Sequence, residues 1–160
     1  MRVIDHLNAT GGRTAFSFEI LPPLKGNDIG RVYGIIDKLR EFDPKYINIT
    51  SHRSEVQYRE LPDGSIIKKK VRKRPGSVAI ASAIQNKYGI TAVPHIICKG
   101  FTRDETEYAL IDLNFLGVHD LLLLQGDAKG PDKSTDPKEV NLHASDLQAQ
   151  VNDFNRGIYA

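Results

Sequence analysis

Tryptophan is absent from this chain of 160 residues, and methionine and cysteine occur once each. A single cysteine, Cys98, excludes an internal disulfide framework and fits a reducing compartment. No apolar run approaches the ~20 residues of a membrane span. The first 16 residues, MRVIDHLNATGGRTAF, lack the apolar stretch and cleavage site of a secretory signal. The expected location is therefore cytoplasmic, with no membrane partner. Surplus charge is also scarce: 22 Lys and Arg stand against 20 Asp and Glu, a net +2. No global field points to nucleic acid. The five histidines are scattered without the paired spacing of zinc ligands, so no metal site is expected. A Gly-rich dinucleotide fingerprint and a P-loop are both missing. What remains is 40% hydrophobic and 26% charged, the profile of a globular protein with a real core. Its length suits a single domain over residues 1–160.

Strand-like and helix-like runs alternate four times. Residues 14–19 form the first strand, with Phe16 and Phe18 on one face and Ser17 and Glu19 on the other. After Pro22 and Pro23, Asn27 or Asp28 can cap a helix whose stripe is Val32, Ile35, Ile36 and Leu39. The second strand, residues 46–50, alternates Ile47 and Ile49 with Asn48 and Thr50. A helix over residues 77–88 should stop at Gly89. The third strand, residues 91–97, contains Pro94, which cannot donate to a ladder and predicts a bulge or break close to His95. Thr102 and Glu105 form a capping box that opens the next helix, ending before Gly117. Residues 119–125 read as a strand covered on both faces. A last helix spans about residues 142–154, on a stripe of Ala144, Leu147, Val151 and Phe154.

This rhythm predicts an α/β fold of parallel strands with right-handed crossovers. An open doubly wound sheet and a barrel both satisfy it. Polar residues at the C-terminal strand ends favour the barrel: Ser17 and Glu19, Asn48 and Thr50, Gln125 and Asp127. In a barrel these face the mouth, where active sites are built. A full barrel takes about 250 residues and eight units, so four units read as half of one. Such a half has two unpaired strand edges and an open interior, and self-association into a homo-oligomer is expected.

Three groups at these strand ends can carry chemistry. Glu19 reads either as a general acid, if partly buried with a raised pKa, or as a carboxylate that caps a loop. His95, after Pro94, reads as a ligand-facing imidazole or a satisfied core histidine. Gln125-Gly126-Asp127 reads as a close backbone approach to a ligand or a plain strand-to-loop turn. The basic run at residues 68–74 follows a hairpin-like tip at residues 61–67, and residues 52–75 read as an extended basic loop or hairpin insertion. It is not interleaved with aromatics, so a solvated arm is favoured over a nucleic-acid contact.

The string Phe16-Ser17-Phe18-Glu19-Ile20-Leu21-Pro22-Pro23 resembles the opening strand of methylenetetrahydrofolate reductases. The resemblance continues in order through Asn48-Ile49-Thr50, Pro94-His95, Gly126-Asp127 and Ala144-Ser145-Asp146-Leu147. It implies a (β/α)8 TIM barrel that binds FAD at the strand ends, with NADH or NADPH as reductant and methylenetetrahydrofolate as substrate, giving 5-methyltetrahydrofolate. By position it makes Glu19 the general acid that opens the five-membered folate ring, and Asp127 the carboxylate near flavin and folate. Thr50, Ser51, His95, Gln125, Gly126, Asp127 and Ala144 fall on flavin-contacting positions. Two departures stand out. Many relatives have arginine where this chain has Gln125, so a cationic contact to the cofactor is either missing here or supplied by another residue. Residues 52–75 are longer and more basic than in the shorter bacterial relatives, which makes Lys68, Lys69 and Lys70 candidates for that contact. Family residues for the adenine end of FAD and for folate would lie beyond residue 160, so these 160 residues are expected to be inactive alone. The competing expectations are another barrel enzyme, marked by a Schiff-base lysine that none of the four strands offers at its end, and a basic-arm nucleic-acid module.

Overall fold

A computed structural model of the chain describes residues 1–127, 134 and 136–159. Its elements, in order, are α1 (Val3–Asn8), β1 (Ser17–Ile20), α2 (Gly30–Leu39), β2 (Tyr46–Ile49), β3 (Glu55–Glu60), β4 (Ile66–Val71), α3 (Ser77–Tyr88), β5 (Thr91–Ile97), α4 (Arg103–Phe115), β6 (Leu122–Leu124) and α5 (Ala144–Asn155). One sheet runs β1-β2-β5-β6 with every pairing parallel, and β3 and β4 form a separate antiparallel hairpin. A parallel sheet flanked by helices in this order is half of a (β/α)8 barrel.

The register explains which side chains face which way. Phe18, Ile47 and Ala92 lie abreast, as do Ile20, Ile49 and Pro94, while Ile96 pairs with Leu123. The isoleucines of this face pack with Val32, Ile36, Ile80, Ile84, Leu113 and Leu147 from the helices. Each fully buried Ile or Leu contributes about 1.5–3 kcal/mol of transfer free energy, which makes this layer the main source of stability. The opposite, inner face carries Glu19, Asn48 and Val93 at one level and His95 and Leu122 above them.

Local signals in the sequence account for the helix ends. The Thr102 hydroxyl accepts from the Glu105 N–H at 3.2 Å, and the Glu105 carboxylate accepts from the Thr102 N–H at 2.8 Å, so the capping box is closed. Gly89 ends α3 in the left-handed region at φ +66°, which an L side chain rarely adopts.

Several expectations change. Helix α2 has no side-chain cap on its own N-cap residue, Ile29; Asp28 instead accepts from the Gly30 N–H at 2.9 Å. Val32 and Ile36 are buried, whereas Ile35, a quarter turn round, is 43% exposed. The sheet covers a narrower seam than the four-residue stripe. Pro94 causes no break: β5 is continuous, and Pro94 is the last residue in register with β2 before pairing with β6 begins at His95. Its missing donor thus falls where the strand changes neighbour. Strand β6 is three residues long and is not covered on both faces. Leu122 and Leu124 are 40% and 37% exposed on the inner face, because no described residue packs over them or pairs along the outer edge.

Helix α1 had no apolar period to announce it. Long-range hydrogen bonds hold it at the N-terminal end of the sheet. His6 Nε2 lies 2.9 Å from Thr91 Oγ1, and the Val3 N–H donates to Asp120 at 3.3 Å.

The hairpin turns at Asp63-Gly64, where the Asp63 carboxylate accepts from the Ser65 N–H at 2.9 Å and Gly64 has φ +81°. Its root is tied to the loop after β1. The Arg74 guanidinium donates to the Pro22 carbonyl, the Lys25 N–H donates to the Lys73 carbonyl at 2.7 Å, and Lys73 pairs with Glu55. Residues 55–74 hold seven cations and three carboxylates, a net +4, so the rest of the chain sums to −2 against the total of +2. Among the described residues no helix is long and apolar enough to cross a membrane.

Candidate functional site

Glu19 and His95 meet on the inner face near the C-terminal strand ends. Strand β1 presents Glu19, two strands away from His95 on β5, and their Oε2 and Nε2 atoms are 3.7 Å apart. That is too long for a hydrogen bond. Nε2 of His95 is buried and has no hydrogen-bond partner among the described residues. His95 is 4% exposed, whereas the Glu19 side chain is 59% exposed. The cover that a buried general acid requires is therefore not supplied to Glu19 by the described residues. Burial pushes the His95 pKa below its ordinary value, and the nearby Glu19 charge opposes this only in part. The imidazole is neutral at pH 7. Its backbone is fixed from the helix side by the Ser77 hydroxyl, which donates to the His95 carbonyl at 3.0 Å.

The sign of the pH effect follows. The unfolded chain takes up a proton near pH 6.5 that folded His95 resists, so stability is present above that pH and is lost as pH falls through the folded pKa. We predict that acidification from pH 7.5 to 5 lowers the melting temperature of wild type more than that of His95→Asn. Equal losses in the two proteins would show that His95 is not the group responsible.

The other candidates are placed as follows. Thr50 is anchored to the end of β1, its N–H donating to the Ile20 carbonyl at 3.1 Å, and its hydroxyl lies 3.3 Å from His52 Nε2. Ser51 and His52 line a cavity of about 490 Å³ with Arg72, Arg74, Ile96 and Phe101, between the hairpin root, α3 and α4. This cavity includes neither Glu19, His95 nor Gly126, so its volume points away from the strand-end cluster. The chemistry of the orphaned imidazole outweighs it, because a buried polar atom without a partner is what a bound ligand would satisfy.

Gln125 has its side-chain amide engaged, donating to the Leu142 carbonyl at 3.1 Å and lying 3.4 Å from His143 Nδ1. It ties the exit of β6 to the start of α5. There the Asp146 carboxylate accepts from the His143 N–H at 2.8 Å, and Ala144 begins the helix. Gly126 has φ +84°, and a Cβ on it would lie 3.3 Å from Lys99 Cβ and 3.4 Å from Ile97 Cβ. Glycine is needed there for conformation and for space. Asp127 is exposed beside it.

Cys98 is buried, its thiol 3.4 Å from the Leu124 carbonyl and 3.3 Å from that of His143. Burial above all, and then Asp146, push the thiol up to about 11, so it is a packing group rather than a nucleophile. No cluster of three or more metal-ligating side chains occurs among the described residues.

Glu19 and His95 are thus brought together, and Gln125, Gly126 and Ala144 gather along the β6–α5 side. Sequence reasoning missed Lys99. It lies two residues beyond β5, in the turn that follows the strand, and its N–H donates to the Gln125 carbonyl at 3.0 Å.

Parallel strands flanked by helices, with Glu19 and His95 meeting on the inner face near the strand ends, define a protein of the (β/α)8-barrel class. The sequence model described as Methylenetetrahydrofolate reductase matches residues 2–158, and the chain belongs to that family. It is 26% identical over 152 residues to the 5,10-methylenetetrahydrofolate reductase of Escherichia coli (strain K12), covering 93% of this chain and 44% of the relative. The corresponding enzyme of Salmonella typhimurium is 24% identical over 149 residues, with the same coverages. Methylenetetrahydrofolate reductase (NADH) 1 of Arabidopsis thaliana is 26% identical over 141 residues, covering 83% of this chain and 20% of the relative. The chain spans less than half the length of these relatives.

Proposed function

We propose that these residues form one half of the site of an FAD-dependent 5,10-methylenetetrahydrofolate reductase. The single observation that carries this reading is the Glu19–His95 pair, a carboxylate beside a buried imidazole nitrogen without a partner, on the inner face of a chain of this family. Two features support a flavin: the buried His95 Nε2 has no hydrogen-bond partner among the described residues, and a Cβ on Gly126 would crowd Ile97 and Lys99. Thr50, Ser51, His95, Gln125, Gly126, Asp127 and Ala144 hold the cofactor in this reading. FAD, when bound, supplies the hydride that it has received from NADH or NADPH.

The chain's own groups manage protons and charge. Glu19 donates its proton to the folate nitrogen released as the five-membered ring opens, which leaves the one-carbon unit electron-poor. Neutral His95 accepts or donates one hydrogen bond without adding charge. The Asp127 carboxylate favours the positive charge that develops on the substrate. Residues 1–160 act as one unit in a cytoplasmic enzyme, with residues 52–75 as an insertion. The β1 and β6 edges, unpaired among the described residues, are covered in a homo-oligomer.

The test is the spectrum of the full-length protein. It should take up added FAD with a yellow absorbance that bleaches anaerobically with NADH or NADPH. A protein that takes up no FAD overturns the proposal.

A further inference from the structure

Helix α4 has a second apolar face. Leu110 and Leu113 are buried, whereas Tyr108, Ile111 and Phe115 are 73%, 51% and 88% exposed. At 3.6 residues per turn these three fall within roughly 60° of arc, away from the buried pair. Glu107 and Asp112 flank them, and Asp104 extends the stripe toward the start of the helix. Closing the barrel would leave this stripe open, because both neighbours of α4 in the ring are already present. Gln85 of α3 donates to the Gly117 carbonyl just past α4 at 2.9 Å, and Gln150 of α5 donates to the Arg103 carbonyl at 3.0 Å. Further βα units would extend the sheet past β1 or β6 instead. Large apolar side chains rimmed by carboxylates suit a basic partner. They do not suit α4 of a second copy, since like charges would meet.

The β3–β4 hairpin has the complementary face. Tyr58 opposes Lys68, Val56 opposes Lys70 and Glu60 opposes Ile66, so these six share one side of the ribbon. Tyr58 and Ile66 are 69% and 68% exposed, with Lys68 and Lys70 exposed beside them. Glu60 is the one acid of that side, and residues 55–74 are net +4. All strand residues of the arm except Val56 and Val71 are exposed. A two-stranded hairpin is marginally stable in water until something packs on it. The arm's strands are about 20 Å long, and the stripe from Tyr108 to Phe115 spans about 10 Å, so one arm can cover it.

We infer that the hairpin arm of one copy docks on α4 of a second copy. Tyr58 and Ile66 pack on Tyr108, Ile111 and Phe115, and Lys68 and Lys70 meet Glu107 and Asp112. The contact is reciprocal, so two copies exchange arms about a twofold axis. This rests on the homo-oligomer reading above and not on the flavin, and it uses a surface apart from the β1 and β6 edges.

The full-length protein is prepared as wild type, as Lys68→Glu/Lys70→Glu, as Glu107→Lys/Asp112→Lys, and with all four substitutions. Sedimentation equilibrium measures self-association, and thermal melts establish that each form is folded. Either double variant should associate about tenfold more weakly or worse, because like charges then face each other. The fourfold protein, and an equimolar mixture of the two double variants, should recover the loss, since opposite charges face again at both contacts. A bismaleimide should also link co-expressed Tyr58→Cys and Tyr108→Cys copies into a dimer, and neither variant alone.

Undiminished association in both double variants overturns the inference and leaves the homo-oligomer held elsewhere. A loss that neither the mixture nor the fourfold protein recovers overturns it too, as does the absence of the cross-link. A wild type that is monomeric at micromolar concentration overturns the homo-oligomer reading and this inference with it.

Discussion

Glu19→Gln in the FAD-loaded full-length protein should lower the rate of methylenetetrahydrofolate reduction about 10²–10⁴-fold, the span of a lost general acid. Reduction of the flavin by NADH or NADPH should be essentially unchanged. The split is the diagnostic part. Glutamine keeps the size and the hydrogen bonding of the side chain but cannot release a proton, so only the half-reaction that opens the folate ring should suffer. A loss shared by both half-reactions would instead mean that Glu19 positions the flavin. The same substitution makes a second, independent claim about His95. Glu19 is the influence that raises the imidazole pKa against burial. Without it burial acts alone, and the His95 titration followed by NMR should move to still lower pH. A midpoint that rose would contradict the electrostatic account of the pair.

The second large effect concerns stability. Ile47 is fully buried at the centre of the sheet, abreast of Phe18 and Ala92 and in the layer shared with α2, α3 and α4. Ile47→Ala should cost about 2–5 kcal/mol, the transfer term plus an unfilled cavity. Against a total of about 5–15 kcal/mol this is a large fraction. The corresponding fall in melting temperature is about 4–20 °C for a domain of this size. Leu122→Ala, on the exposed inner face of β6, should cost far less. Calorimetry on the two variants checks which face of the sheet is the core. Equal losses would show that the inner face is also covered.

Much of the architecture was readable because local chemistry and global fold agree in this chain. The alternation of Ile47 and Ile49 with Asn48, the Thr102–Glu105 box and the Gly89 stop each specify the element that forms. Pro94 misled because a rule about ladder donors was applied without the sheet order; only β5's change of neighbour shows why the proline is harmless. Helix α1 was invisible because hydrogen bonds to Thr91 and Asp120, far along the chain, hold it in place. At the site, polar strand ends pointed to Glu19, His95 and Gly126. Their relation was not legible, since a 3.7 Å approach across two strands depends on sheet twist and register. The bond from the Gln125 amide to the Leu142 carbonyl at the start of α5 was not legible either, because it joins residues 17 apart in the chain. Lys99 was passed over because it lies beyond the apolar run that marked the strand.

The central claim is that the inner-face strand ends hold a flavin beside a proton donor for folate. The most direct measurement reduces the FAD-loaded full-length protein anaerobically, removes excess reductant, and mixes it with 5,10-methylenetetrahydrofolate. The account predicts reoxidation of the flavin with one 5-methyltetrahydrofolate formed per flavin. A reduced flavin that persists, or reoxidises without that product, would contradict it.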